Sequence, residues 1–306
     1  ATRAPRSTPR WGVAFGGDRV HVTAITSAVQ DPHFVDPKPS FVVKLRDADV
    51  FLISGLELEI GWVPPLLDGA RNPKINAGAP GYVDCSRGIP VIERPTGEVT
   101  RAMGDAHPLG NPHYLLDPLN GVIVARTIAE ALGKADPAGA ADYAARSKAF
   151  GRTISEGMFG KALVDEVGES KLDRLARSGE LDAFVAKGGV ALGGWMGKMR
   201  PFAGKKIVFY HRSFSYFAER FGLVVADYVE LKPGIQPGPS HLADLITKMK
   251  KEGIKVVGTH AFYDEKVANL VAAKAGAKLL VVPLASTGSS YAQLFDTLTG
   301  QFATAL

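Results

Sequence analysis

Cysteine is almost absent from this chain: Cys85 is the one thiol in 306 residues. An intrachain disulfide is therefore excluded, and so is a zinc site built from several thiolates. Long apolar runs are missing too. No stretch approaches the roughly 18–20 consecutive apolar residues that a membrane-spanning helix needs. Charge of one sign is in only mild excess, at a net +5, and no basic stripe is interleaved with aromatics, so no nucleic-acid partner is expected. Part of that excess lies in residues 1–10 (ATRAPRSTPR), which read as a disordered tail. The chain starts without Met and shows no charged-then-apolar leader. It reads as a mature product from which any signal peptide has been removed. What is present is an ordinary globular composition, 46% hydrophobic and 22% charged. The length favours two domains, each with its own core.

Strand-like runs alternate with helical patterns in both halves. Arg19–Ile25 and Val50–Ser54 read as strands in the first half, with short helices at Ser40–Asp47 and Glu57–Leu67. In the second half Lys206–Tyr210, Leu223–Ala226, Ile254–Gly258 and Lys278–Val282 read as buried strands. Helical patterns follow them at Ser213–Arg220, Ser240–Lys251, Asp264–Ala275 and Ser289–Thr304. Such alternation predicts parallel sheets covered by helices. From Pro118 to about Lys161 the chain holds good helix formers and almost no strand signal, broken only at Lys134-Ala135-Asp136-Pro137. Leu163–Gly189 reads as a charged helical excursion. The expected fold class is α/β: an N-terminal lobe over 11–136, a long connecting helix over 137–165 and a C-terminal lobe over 166–306. In open parallel sheets the ligand sits beyond the carboxyl ends of the strands, here between the lobes.

Seven histidines are present, and two share an unusual setting. Asp31-Pro32-His33 and Asn111-Pro112-His113 each place an imidazole just after a proline. Proline fixes its own φ and drives the residue before it toward extended geometry, so both histidines sit on stiff, non-helical turns. His211 closes the strand Lys206–Tyr210, and His260 closes Ile254–Gly258. Two imidazoles from each half, all near strand ends, suit a borderline divalent ion such as zinc. His21 reads as packing or surface, and His241 as a solvated residue at a helix start. His107 reads as a loop residue that is not a ligand but is able to capture metal transiently at the cleft mouth. Ser286-Thr287-Gly288-Ser289-Ser290 offers an anion the amides of a helix N-terminus, but it reads as an ordinary N-cap before Tyr291–Leu298. Spacing alone is a weak signal, because these histidines form no compact motif.

Four segments in order resemble the cluster A-I solute-binding proteins of ABC importers for zinc, manganese or iron. Asp31–Ser40 (DPHFVDPKPS) is similar to that family's first ligand loop, DPHxYEPTPSD. Asp49–Glu59 (DVFLISGLELE) resembles its ADLVxxNGLGLE strand and turn, and Asn111–Pro118 (NPHYLLDP) resembles DPHVWLDP. Tyr210–Leu223 (YHRSFSYFAERFGL) resembles SHDAFGYFAKRYGL. The match in order and spacing extends over about residues 11 to 306. It implies two α/β lobes joined by a rigid helix, a small closing movement, and a metal site in the interlobe cleft. It carries His33, His113 and His211 over as metal ligands.

The family's usual fourth ligand is a carboxylate after the last strand. Here Val282 or Pro283 stands at that point. Water or hydroxide completes the site, or His260 does. Asp36 and Glu59 are expected to orient an imidazole or to cap loops. The long histidine-rich loop of zinc members corresponds to Gly88–Pro112, which holds only His107 with Asp105 nearby. A third histidine in place of a glutamate favours Zn2+ over Mn2+ or Fe2+. The resemblance thus implies a periplasmic or membrane-tethered zinc receptor, not an enzyme, working with ABC permease subunits and expected to be a monomer. The absence of the usual N-terminal Cys favours the untethered form. The rival readings are a zinc-dependent hydrolase with water on an open zinc position, a manganese or iron carrier, and an adhesin-type member of the same scaffold.

Overall fold

A computed structural model describes residues 15–27, 29–97, 107–230, 232, 234–286 and 289–306. The tail 1–10, Asp105 and the Thr287-Gly288 pair fall outside the described residues. Two α/β lobes with parallel sheets are observed. The N-terminal lobe holds β1 (Phe51–Ile53) paired in parallel with β2 (Tyr82–Asp84). The C-terminal lobe holds β3 (Lys206–Phe209), β4 (Val224–Tyr228), β5 (Val256–Thr259) and β6 (Lys278–Val281), in spatial order β4-β3-β5-β6 and all parallel. The order reverses between β3 and β5, and the crevice beyond their carboxyl ends is the expected ligand position in such a sheet.

Between the sheets runs an antiparallel helix pair, Pro118–Ala135 and Ala140–Phe159, separated by Asp136 and a 3₁₀ turn at Pro137–Gly139. Asp117 caps the first helix through the amide of Leu119, with Pro118 at its first position, where the missing N–H costs nothing. The pair feeds both cores. Val124, Ala125 and Ile128 pack with Leu56, Val83 and Tyr114 of the N-terminal lobe, whereas Leu119, Ile154 and Met158 pack with Ile207, Phe217 and Phe295 of the C-terminal lobe. Tyr216, from the C-terminal lobe, is buried in the N-terminal core. A buried bidentate ion pair adds to this, with Arg220 Nε and Nη2 donating to Asp117 Oδ1 and Oδ2 at 2.9 and 2.8 Å. The two lobes are thus joined through shared apolar packing as well as through the chain.

Several elements depart from the sequence reading. Arg19–Ile25 is not a strand: Gly17–Arg19 is a 3₁₀ turn, and the chain beyond it joins no ladder among the described residues. Arg19 instead reaches out to Asp136 with two hydrogen bonds. The helix expected at Glu57–Leu67 begins only at Val63 and runs to Ala70. Gly55, Leu56 and Glu57 all have positive φ (82°, 53° and 64°), which no helix tolerates. Pro64 and Pro65 are acceptable only in a first turn, which fixes the later start. The charged excursion is three short helices, Lys161–Val167, Glu169–Ser178 and Leu181–Gly188. Ser290 caps the last helix, Tyr291–Ala305, in a reciprocal capping box with Gln293.

Candidate metal centre

The two Asx-Pro-His turns fold alike. The backbone N–H of His33 donates to Asp31 Oδ1 at 3.0 Å, and that of His113 donates to Asn111 Oδ1 at 2.9 Å. This side-chain-to-backbone bond, with proline in between, is a self-contained Asx turn. Trp62 Nε1 pins the first turn by donating to the Pro32 carbonyl at 3.0 Å. The second is tied across the lobes: Asn111 Nδ2 donates to the Arg212 carbonyl at 2.7 Å and to Glu93 Oε2 at 2.8 Å. Asn111 therefore links the His113 turn directly to the backbone beside His211.

His211 lies two residues beyond β3. Its register depends on close packing at the sheet: a Cβ on Gly258 of β5 would lie 2.0 Å from the Phe209 ring, so only glycine fits there. Phe209 in turn stacks on Phe214 at 4.2 Å, clamping the turn that carries His211.

The structure brings His33, His113 and His211 together. All three are buried, and one nitrogen of each lies within 4.8 Å of the others. Their ring centroids form a nearly equilateral triangle with sides of 5.2, 5.3 and 5.3 Å. Two of the rings are oriented by carboxylates. His33 Nδ1 lies 2.7 Å from Asp31 Oδ1, and His211 Nδ1 lies 2.7 Å from Glu230 Oε2. A carboxylate only accepts, so the proton sits on Nδ1 and Nε2 presents a lone pair to the cavity. Burial works to raise the Asp31 carboxyl, but the hydrogen bonds from His33 outweigh it and hold its pKa below the usual range. Burial, and then the neighbouring imidazoles, push His113 well below the ordinary histidine value. The centre thus keeps His113 neutral, the form able to coordinate a metal.

His260 does not join the triad. Its Nδ1 lies 2.9 Å from the Val282 carbonyl and its Nε2 lies 2.8 Å from Ser213 Oγ, so both nitrogens are engaged. The ring ties the residue after β5 to the turn that follows β3 and to the residue after β6. Asp36 is exposed in the wall of a cavity of about 450 Å³, beside His33 and Trp62, and among the described residues it bonds to no imidazole. The orienting role falls to Asp31, which belongs to the same Asp31–Ser40 segment. Glu59 caps a loop. It is buried, and its carboxylate accepts from the amides of Ser54 and Gly55 at 2.7 and 3.2 Å, holding the left-handed turn in place. The Ser54 carbonyl then accepts from Tyr114, next to His113.

His107, read from the sequence as a loop residue at the cleft mouth and not as a ligand, lies in contact with the triad. Its Nε2 is 3.1 Å from His33 Nε2, with the two rings stacked 5.1 Å apart. Burial, and then His33 and His211, lower its pKa to about 3. Glu230 carried no sequence signal. Glu230 becomes visible only when β4 is laid beside β3.

A buried cluster of three imidazoles between two α/β lobes defines the class: a two-lobed binding protein whose cleft is furnished for a metal cation. The chain belongs to the family described as zinc-uptake complex component A, periplasmic, whose sequence profile matches residues 13–156 and 195–305. It is 24% identical over 253 residues to the metal ABC transporter substrate-binding lipoprotein ScbA of Streptococcus cristatus, covering 82% of this chain and 68% of that one. It is 27% identical over 240 residues to the iron ABC transporter substrate-binding lipoprotein MtsA of Streptococcus pyogenes serotype M1, covering 78% of this chain and 64% of that one. The chain thus spans about two thirds of the length of these relatives. A crystal structure of ZnuA superposes with a TM-score of 0.70 at 23% identity, covering 98% of this chain and 96% of that one. A Mn-bound periplasmic metal binding protein from candidatus liberibacter asiaticus superposes at 0.66 with 18% identity, covering 96% and 94%. These superpositions establish the shared fold.

Proposed function

We propose that this protein is a periplasmic receptor that captures zinc with His33, His113 and His211, between lobes spanning 11–136 and 166–306, and hands it to the membrane subunits of an ABC importer. The observation that carries this reading is the triad itself: three buried imidazole nitrogens within 4.8 Å of one another. Neutral nitrogen donors favour zinc over manganese, which prefers oxygen. The carboxylate missing after the last strand does not leave the cation uncompensated. Asp31 and Glu230 supply two negative charges, each through a 2.7 Å bond to an imidazole. Membership of a zinc-uptake family supports transport over catalysis. Calorimetric titration of chelator-stripped protein at neutral pH tests the proposal. One zinc should bind per chain, and His113→Ala should weaken binding by at least about 100-fold, the loss of a direct ligand exceeding the 10–100-fold of an outer partner. Absence of zinc binding, or an unchanged affinity in His113→Ala, overturns it.

A further inference from the structure

The Nε2 atoms of the four imidazoles fall into two pairs. His113 and His211 are 3.3 Å apart, and His33 and His107 are 3.1 Å apart. Two nitrogens bound to one tetrahedral zinc at 2.0–2.1 Å are separated by about 3.3 Å. Each pair therefore has the length of one edge of a zinc tetrahedron; His107 lies outside the 4.8 Å cluster of the other three, so it has to move inward to share their ion. The pairs are also chemically equivalent. In each, one ring has its Nδ1 proton held by a carboxylate, Asp31 for His33 and Glu230 for His211. The lone pair so exposed faces the second ring of the pair, and without metal each contact is an N–H···N hydrogen bond. His107 stands to His33 as His113 stands to His211. It also lies in the wall of the cavity beside His33.

We infer that His107 is the fourth zinc ligand, closing an all-histidine site over the ion once it has entered. The inference rests on the zinc-receptor reading above and adds to it a donor that the three-histidine cluster lacks. Four neutral imidazoles leave the ion's 2+ charge to be balanced by Asp31 and Glu230, one on each pair. A closed four-nitrogen shell also has no position for water, which separates a carrier from a hydrolytic zinc centre.

X-ray absorption on the zinc-loaded full chain tests this directly. Wild type should show four imidazole donors, and His107→Ala should show three with an added oxygen. In parallel, chelator competition should give a 10–100-fold weaker zinc affinity and faster zinc release for His107→Ala, whereas His21→Ala, on the exposed surface, should match wild type. Three imidazoles and one oxygen in wild type would overturn the inference while leaving the receptor reading intact. Equal affinity and release for His107→Ala and wild type would do the same. Failure of wild type to bind zinc would overturn the receptor reading itself.

Discussion

The carboxylate of Glu230 is the most informative place to perturb the centre, because both of its oxygens act as acceptors. Oε2 takes the His211 Nδ1 proton at 2.7 Å, and Oε1 takes the amide of Gly234 at 2.9 Å. Glu230→Gln keeps the size but offers a single acceptor. If the amide oxygen stays on His211, the Gly234 N–H is left facing an NH2 group. If it turns to Gly234, the NH2 faces His211 Nδ1, and the imidazole must move its proton to Nε2, blocking the lone pair meant for metal. Either outcome costs an unsatisfied buried donor or the wrong tautomer. Loss of such an outer partner typically weakens metal affinity 10–100-fold, equivalent to about 1.4–2.7 kcal/mol. Removal of one of the two compensating negative charges acts in the same direction. The assay is zinc competition against a chelator of known affinity, with the thermal melt of the metal-free variant recorded to show that it is folded. A folded Glu230→Gln protein that binds zinc within twofold of wild type would refute the claim that the Glu230 carboxylate supports the metal site.

The neighbouring acids should separate cleanly. Asp31→Ala, which releases His33, is expected to lower zinc affinity by about 10-fold, while exposed Asp36→Ala stays within about twofold; the reverse order in the same titration would contradict the site as described. Asp117→Asn strips the charge from a pair whose side chains are only 7% and 12% exposed. It should destabilise the protein by about 3 kcal/mol, leaving Arg220 buried and unpaired; a denaturation midpoint indistinguishable from wild type would count against the interlobe pair. Burial, opposed by the Val282 carbonyl, lowers the His260 pKa to about 4 from 6.5. The unfolded chain then binds the proton more readily between those values, so the stability contribution is present above pH 6.5 and lost on acidification through that window, reaching roughly 3 kcal/mol by pH 4. In chelator, His260→Gln should therefore lose less stability than wild type between pH 7 and 4 while still binding one zinc in the neutral range. Equal slopes in urea titrations, or loss of the zinc site, would show that His260 does something else.

The four strands of the C-terminal sheet were legible because each contains a short aliphatic run; the central pair β3 and β5 is buried almost throughout, while the edge strands β4 and β6 are half-buried and were still marked by consecutive Val or Leu. Tyr82–Asp84 was not legible. Three residues carry no period, and they become a strand only by pairing with Phe51–Ile53. Arg19–Ile25 shows the opposite error: alternation without a partner strand does not make a ladder. The late start of the Val63–Ala70 helix was written in Pro64-Pro65, but the left-handed turn before it depends on Glu59 folding back onto two amides. His260 misled for a related reason. Its position at a strand end is what a ligand requires, but Ser213 and Val282 reach it first, and neither contact follows from spacing.

Local chemistry, then, settled what each segment offers. Prolines make the Asp31–His33 and Asn111–His113 turns stiff, apolar strands stop just before His211 and His260, and helix formers fill 118–159. Those features depend on neighbours a few residues away and are readable in one dimension. Which imidazoles meet, which carboxylate steers each ring, and that His107 stands 3.1 Å from His33 across 74 residues of chain were decided by the tertiary structure alone. Convergence of that kind is set by how two lobes pack on a shared helix pair, and the energy that fixes it is spread over the core rather than stored near any one histidine.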